Sequence, residues 1–166
     1  MEKNIIRRIE ENDLKIVAKI CTDAWKINYK GFISDDFLKS RTVENFIEKR
    51  KRNNWIGNNE IDTFIYEENN IVKGFISGNT LKEKYDCEIG MLYIDPNFQG
   101  NGIGTKLLNF MKEFYKNKGC MNMIIWTLNG LKNNAFYKRQ GGIIEEEKEY
   151  EYGNIKYPGI GYGFKL

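Results

Sequence analysis

A mixed, mostly antiparallel sheet of about seven strands with helices on both faces, an α/β (α+β) fold, is what this sequence predicts. Three observations lead there. Residues 62 to 94 alternate with a period of two, which makes neighbouring antiparallel strands. Residues 87 to 128 then run strand, glycine-rich turn, helix, buried strand, the pattern of a parallel crossover. A last pair of period-two segments follows around Gly153-Asn154. Neither a Pro/Gly/Ser-rich linker nor an internal repeat interrupts the 166 residues, so one domain over residues 1 to 166 with one core is expected.

The elements follow in order. Residues 5 to 9 open with a short strand, and Asn12 or Asp13 then caps a helix in which Leu14, Val17, Ile20, Cys21, Ala24 and Trp25 keep helical spacing. Ser34 begins a second helical region that runs through Phe37, Leu38, Val43, Phe46 and Ile47 to about Asn54. Strands over 63 to 66 and 71 to 77 meet at Asn69-Asn70, a pair suited to a tight hairpin. A strand from 87 to 94 ends at Asp95-Pro96, and Ile103, Leu107, Leu108, Met111 and Phe114 mark a helix that stops near Gly119. Residues 121 to 128 form a buried strand, 131 to 139 a helix closed by Gly141-Gly142, and 143 to 152 and 155 to 164 the final strands. Both prolines, Pro96 and Pro158, are expected at strand ends.

Composition narrows the chemistry. There is no histidine, so imidazole is excluded as base, nucleophile partner or metal ligand, and no metal is expected. Lysines and arginines number 26 against 23 acids, and a net charge of +3 is too small to argue for a nucleic-acid partner. Cys21, Cys87 and Cys120 are an odd count without a CxxC pair, which reads as reduced thiols in cytoplasm. A cysteine nucleophile is weak for want of an imidazole to generate its thiolate. No segment has the length of a signal peptide core or a membrane span, so neither export nor a membrane partner is expected.

The segment Gln99-Gly100-Asn101-Gly102-Ile103-Gly104-Thr105 lies between a strand end and a helix start. Glycines there let successive backbone N–H groups converge, and the helix N-terminus adds positive potential, so the segment suits a phosphate or pyrophosphate. The P-loop pattern does not occur, and the dinucleotide GxGxxG fingerprint would need glycine where Thr105 or Leu107 stands. Gln99-x-x-Gly102-x-Gly104 does match the Q/RxxGxG/A signature of the GNAT superfamily of N-acetyltransferases, which use acetyl-coenzyme A. The preceding strand, residues 88 to 96, the segment Phe136-Tyr137 to Gly141-Gly142, and residues 24 to 32 resemble the same family, as does the element order.

That resemblance implies a GNAT-like sheet splayed at the cofactor site and direct transfer of an acetyl group from acetyl-CoA to the primary amine of a small molecule. Acceptors of peptide or protein type and a non-catalytic acetyl-CoA sensor are the alternatives. It implies that the backbone of Leu92, Tyr93 and Ile94 holds pantetheine, and that Gln99, Gly100, Asn101, Gly102, Ile103, Gly104 and Thr105 hold the pyrophosphate. Glu88 is then the base, directly or through water, or a grip on the acceptor ammonium. The Leu92 N–H receives the oxyanion, and Tyr137 is the acid toward the departing thiolate. Many members carry an asparagine six or seven residues before that tyrosine. Here Leu131 and Gly130 stand there, and Asn133, one turn before Tyr137, is the substitute. Phe136 packs against the cofactor, and Trp25 and Tyr29 serve either as core or as walls of the acceptor pocket. A homodimer is compatible with the sequence.

Overall fold

The computed structural model describes residues 4–166, and its element order follows the expected one. The strands are β1 (Asn4–Arg8), β2 (Ile61–Glu68), β3 (Ile71–Thr80), β4 (Cys87–Ile94), β5 (Asn122–Leu128), β6 (Ile143–Tyr152) and β7 (Ile155–Lys165). The helices are α1 (Leu14–Asn28), α2 (Asp35–Ser40), α3 (Val43–Arg52), α4 (Ile103–Asn117) and α5 (Asn134–Arg139). All seven strands join one sheet in the order β1-β2-β3-β4-β5-β7-β6, with a single parallel pair, β4 on β5. Both hairpin turns use two successive residues at positive φ, Asn69-Asn70 (52° and 64°) and Gly153-Asn154 (59° and 64°), the geometry that matches the twist of the flanking strands.

One core lies on each face. Against α4, the residues Ile103, Leu107, Leu108, Met111 and Tyr115 pack on Ile76, Ile89, Met123, Ile125 and Tyr162. On the other face, α1 lays Val17, Ile20, Cys21 and Trp25 against Ile65 and Phe75. Leu108 has no exposed surface. Leu108→Ala therefore destabilises the fold by about 3 kcal/mol, read as a lowered midpoint in thermal unfolding.

Five local expectations need correction. The helical region from Ser34 is two helices, because Arg41 and Thr42 take extended backbone and the Thr42 hydroxyl accepts from the Asn45 N–H at 3.1 Å, starting α3 afresh. Asp13 does not cap α1 through its side chain. Its carboxylate instead accepts from the Glu10 N–H at 2.8 Å and pairs with Arg7. Met121 stays outside β5 with 74% of its surface exposed, and α5 begins only at Asn134, after a turn in which the Asn134 side chain accepts from Gly130 N–H and donates to the Leu128 carbonyl. Pro158 lies inside β7, paired with Glu149 of β6. Its carbonyl takes the Asn129 N–H on the β5 side, past the end of β5, so the missing proline N–H faces the same way and costs no bond to β6.

Candidate functional site

The parallel pairing of β4 with β5 is short. Cys87, Glu88 and Ile89 pair with Met123, Ile124 and Ile125, and beyond Ile89 the two strands part. The cause sits on the other edge of β4. Ser77 of β3 pairs with Met91 but Gly78 with Ile89, so Gly90 is an extra residue, a β-bulge. Because side chains alternate, the bulge reverses the faces. Before it, Cys87 and Ile89 point to the α4 core, and after it Leu92 and Ile94 do, while Met91 and Tyr93 turn to the α1 side. Glu88, between Cys87 and Ile89, also faces the α1 side.

A cleft opens where the strands part, lined by residues 89 to 93 of β4 and 125 to 127 of β5, with Tyr29, Asn133 and Tyr137 at its sides. The Asp95 N–H donates to the Lys73 carbonyl at 2.8 Å, which fixes the alternation on β4. Tyr93 N–H then points to β3, and the N–H groups of Leu92 and Ile94 point the opposite way, into the gap. An extended chain entering here would meet an unpaired strand edge.

At one end of the cleft lies the glycine loop. Gly100 and Gly102 take φ of 83° and 74°, a conformation that side-chain-bearing residues seldom adopt, and Gly102 is the residue that starts α4. At Gly104 a Cβ would sit 3.4 Å from Phe136 Cζ, an ordinary contact, where α5 leans on the start of α4. The amides of Ile103, Gly104 and Thr105 have no carbonyl four residues back within the helix, and they face outward as a cradle of donors. The Thr105 hydroxyl accepts from Gln140 Nε2 at 3.0 Å, which leaves its own proton free to donate. Gln99 and Asn101 brace the loop through the carbonyls of Ile94 and Phe98.

A protein-family model for the acetyltransferase (GNAT) family matches residues 27–142, more than two thirds of the chain and the whole of this cleft. The chain belongs to the GNAT acetyltransferase family. It is 26% identical over 163 residues to the uncharacterized N-acetyltransferase YuaI of Bacillus subtilis, a match covering 96% of this chain and 91% of YuaI. It is 23% identical over 159 residues to the spermidine N(1)-acetyltransferase of Thermoplasma acidophilum, covering 88% of this chain and 97% of that protein. Among solved structures, the PaiA N-acetyltransferase of Thermoplasma acidophilum in complex with coenzyme A superposes with a TM-score of 0.77 at 20% identity, covering 99% of both chains. The chain is thus an acyltransferase of GNAT type, and the splayed seven-stranded sheet is the family's fold.

In this acetyltransferase, Tyr29, Asn133 and Tyr137 line the cleft, whereas Glu88, Trp25 and Phe136, also singled out in the sequence, stand outside its wall, Phe136 against the α4-side core. Tyr137, on α5, belongs to the α4-side core and lines the cleft, its ring 5.6 Å from that of Tyr162. Burial pushes its phenol well above the ordinary value, so it stays protonated. Asn133 lines the same cleft, its amide near the Thr127 hydroxyl at 3.4 Å, whereas the Asn134 side chain holds the turn from Leu128 to Gly130. Tyr29 lines the cleft too, and burial raises its phenol to about 12. Trp25 stands one layer behind. Its ring stacks on Tyr29 at 4.4 Å and its indole N–H donates to the Tyr93 hydroxyl at 2.8 Å.

The fold also brings together residues that no motif marks in the sequence. Tyr150, Tyr152 and Tyr157 of the β6-β7 hairpin fold over Trp25, Phe37 and Phe32. Their signal was the period-two spacing of Tyr150 and Tyr152, which puts both on one face. Lys148, on that same face, lays its ammonium 3.8 Å from the Trp126 ring centroid, and burial lowers its pKa while Glu88 opposes the shift. Arg41 stacks over Trp25 at 3.7 Å. Arg50, one of four successive basic residues, is half-buried against Phe46 and Trp55 and donates to Met91 Sδ at 3.4 Å. Cys21, Cys87 and Cys120 are buried free thiols. Among the described residues no helix is long and apolar enough to cross a membrane.

Proposed function

We propose that this chain transfers the acetyl group of acetyl-CoA to the primary amine of a small molecule by direct attack. The observation that carries the acceptor class is a closed end. The Tyr29 to Ser34 loop packs against the hairpin, with Ser34 N–H donating to the Tyr157 hydroxyl at 3.2 Å and Phe32 against Gly130 and Tyr157. The β6-β7 turn in its place leaves 3.4 Å between a Gly153 Cβ and Phe37. A peptide or protein acceptor needs a groove that runs through, and the packing of α2 on the hairpin supports a short acceptor instead.

The residues present fit acetyl-CoA. Leu92 and Ile94 offer N–H groups to pantetheine, Tyr93 keeps its own for β3 while its side chain braces Trp25, and the amides of Gly100 to Thr105 suit a pyrophosphate. When bound, acetyl-CoA supplies an activated thioester whose carbonyl carbon the amine attacks. Tyr137 lines the cleft from the α4 side, while Glu88 lies on β4 one residue before the strands part, on the α1 side by alternation with Cys87 and Ile89, so in this reading proton acceptance and proton donation fall on opposite faces of the sheet. A free alkylamine near pKa 10.4 is neutral about once in a few thousand molecules at pH 7, and Glu88 takes its proton directly or through water. The Leu92 N–H stabilises the developing oxyanion, and the Tyr137 hydroxyl hydrogen-bonds and protonates the departing thiolate. Asn133 bonds pantetheine, and Phe136 packs beside it.

Glu88→Gln tests the base. Below neutral pH its kcat/KM falls by about 10²-fold, and it recovers at high pH where the amine is already neutral. A uniform loss at every pH would assign Glu88 to gripping the acceptor instead. For the reading as a whole, acetyl-CoA raises the thermal midpoint and thiol release from acetyl-CoA requires an added small amine; absence of both overturns it.

A further inference from the structure

Arg41 and Arg50 are both half-buried, and neither is paired with a carboxylate among the described residues. The Nε atoms of both are fully buried without a hydrogen-bond partner. A buried guanidinium ordinarily has an acid opposite it, because desolvating the charge costs several kcal/mol otherwise. Here two of them converge on one place. Arg41 lies on the Trp25 ring, Arg50 on Met91, and Met91, Tyr93 and Tyr29 behind them line the cleft.

The groups around them stay neutral. Burial holds the Cys21 thiol at about 11 and the Tyr29 phenol at about 12, and lifts the Tyr93 phenol further, so none of these supplies a counter-charge near neutral pH. Of the hairpin acids, Glu147, Glu149 and Glu151 alternate with Lys148, Tyr150 and Tyr152 and so lie on the opposite face of β6, Glu149 pairing there with Lys156. Glu146 pairs with Lys84, and the Glu145 carboxylate accepts from the Tyr85 hydroxyl at 2.8 Å. The Lys148 ammonium over Trp126 adds a third positive charge on the same face of the sheet, within electrostatic reach of Glu88.

From this uncompensated pair beside the acceptor end of the cleft we infer that the acceptor carries an anionic group, a carboxylate or a phosphate, which Arg41 and Arg50 bind while its amine lies at Glu88. The inference rests on the acetyl-transfer reading above and names its substrate class: amino acids or phosphorylated amines rather than polyamines. Guanidinium forks suit both anions, and two of them give the bidentate geometry that fixes the distance between anion and amine. In the step, the neutral amine nitrogen forms a bond to the acetyl carbon and the carbon–sulfur bond breaks; Tyr137 protonates the thiolate, and the proton lost by the nitrogen, passed through Glu88 or water, restores the phenol, so that amine and thioester give amide and thiol.

Matched acceptors test it: L-phenylalanine against phenethylamine, and O-phosphoethanolamine against ethanolamine. The expected result is that the anionic member of at least one pair has a kcat/KM tenfold or more above its neutral partner, with the difference in KM; which pair shows it separates carboxylate from phosphate. Arg41→Gln and Arg50→Gln erase that preference, and Arg50→Lys keeps part of it, while the thermal shift with acetyl-CoA is retained and shows that each variant folds. Equal use of both members in each pair, or Gln variants that depress both members alike, overturns the inference and leaves acetyl transfer standing. If no amine is acetylated, calorimetric titration of inorganic phosphate and of L-phenylalanine decides: binding to the wild type that is lost in both Gln variants supports the arginine site, and its absence overturns it.

Discussion

Replacing Tyr137 with phenylalanine lowers kcat by about 10²-fold while the affinity for acetyl-CoA changes little. The ring is what packs: it belongs to the α4-side core, 5.3 Å from Phe136 and 5.6 Å from Tyr162, and phenylalanine keeps those contacts. Only the hydroxyl is lost. Because burial raises its pKa, the phenol is fully protonated through the working range, so no pH limb below 10 is attributable to it and the loss in Tyr137→Phe is the same at pH 6 and pH 9. Single-turnover rates with a fixed amine check the chemical step apart from release. An unchanged kcat would show that the thiolate takes its proton from water.

The second large effect is structural and falls on the bulge that opens the cleft. A Cβ on Gly78 would lie 2.4 Å from the Glu88 carbonyl and 2.8 Å from the Tyr115 hydroxyl, both closer than real contacts allow, and the first is backbone that cannot swing away. Gly78→Ala therefore costs about 2–4 kcal/mol, a fall of roughly 5–15 °C in Tm for a chain of this size. By displacing β4 at Glu88 it also raises KM for acetyl-CoA. Gly90→Ala is the control. That glycine is the inserted residue itself, and nothing lies within 4 Å of its Cβ position, so alanine there changes Tm by no more than a few degrees. Equal Tm losses in the two variants would mean that the clash at Gly78 is relieved by a shift of the backbone.

Much of this was legible in the sequence, for reasons that differ by element. The strand from Cys87 to Ile94 ended where Asp95-Pro96 said it would, because proline cannot extend a ladder and the Asp95 side chain caps the following turn through the Asn97 N–H. The two tight turns were written in Asn69-Asn70 and Gly153-Asn154, since few residues tolerate positive φ. The break between α2 and α3 was harder, as apolar spacing continues across it and only Thr42 with Asn45 three residues on carries the signal.

The site divides in the same way. By itself the sequence determined the loop from Gln99 to Thr105, the strand before it and the Phe136-Tyr137 segment, because these depend on local backbone geometry and on residue types that neighbours in the chain dictate. It also excluded imidazole chemistry outright. Only the tertiary structure decided where β4 leaves β5, since a one-residue bulge at Gly90 changes no periodicity long enough to read, yet turns Met91 and Tyr93 onto the acceptor face. It decided as well that Arg50, one of four basic residues in a row, is drawn under two aromatic rings and that Arg41 joins it. Charge in a sequence has no address. Whether a guanidinium meets water, a carboxylate or an unfilled place beside a cleft depends on chain segments dozens of residues away, and packing alone brings those together.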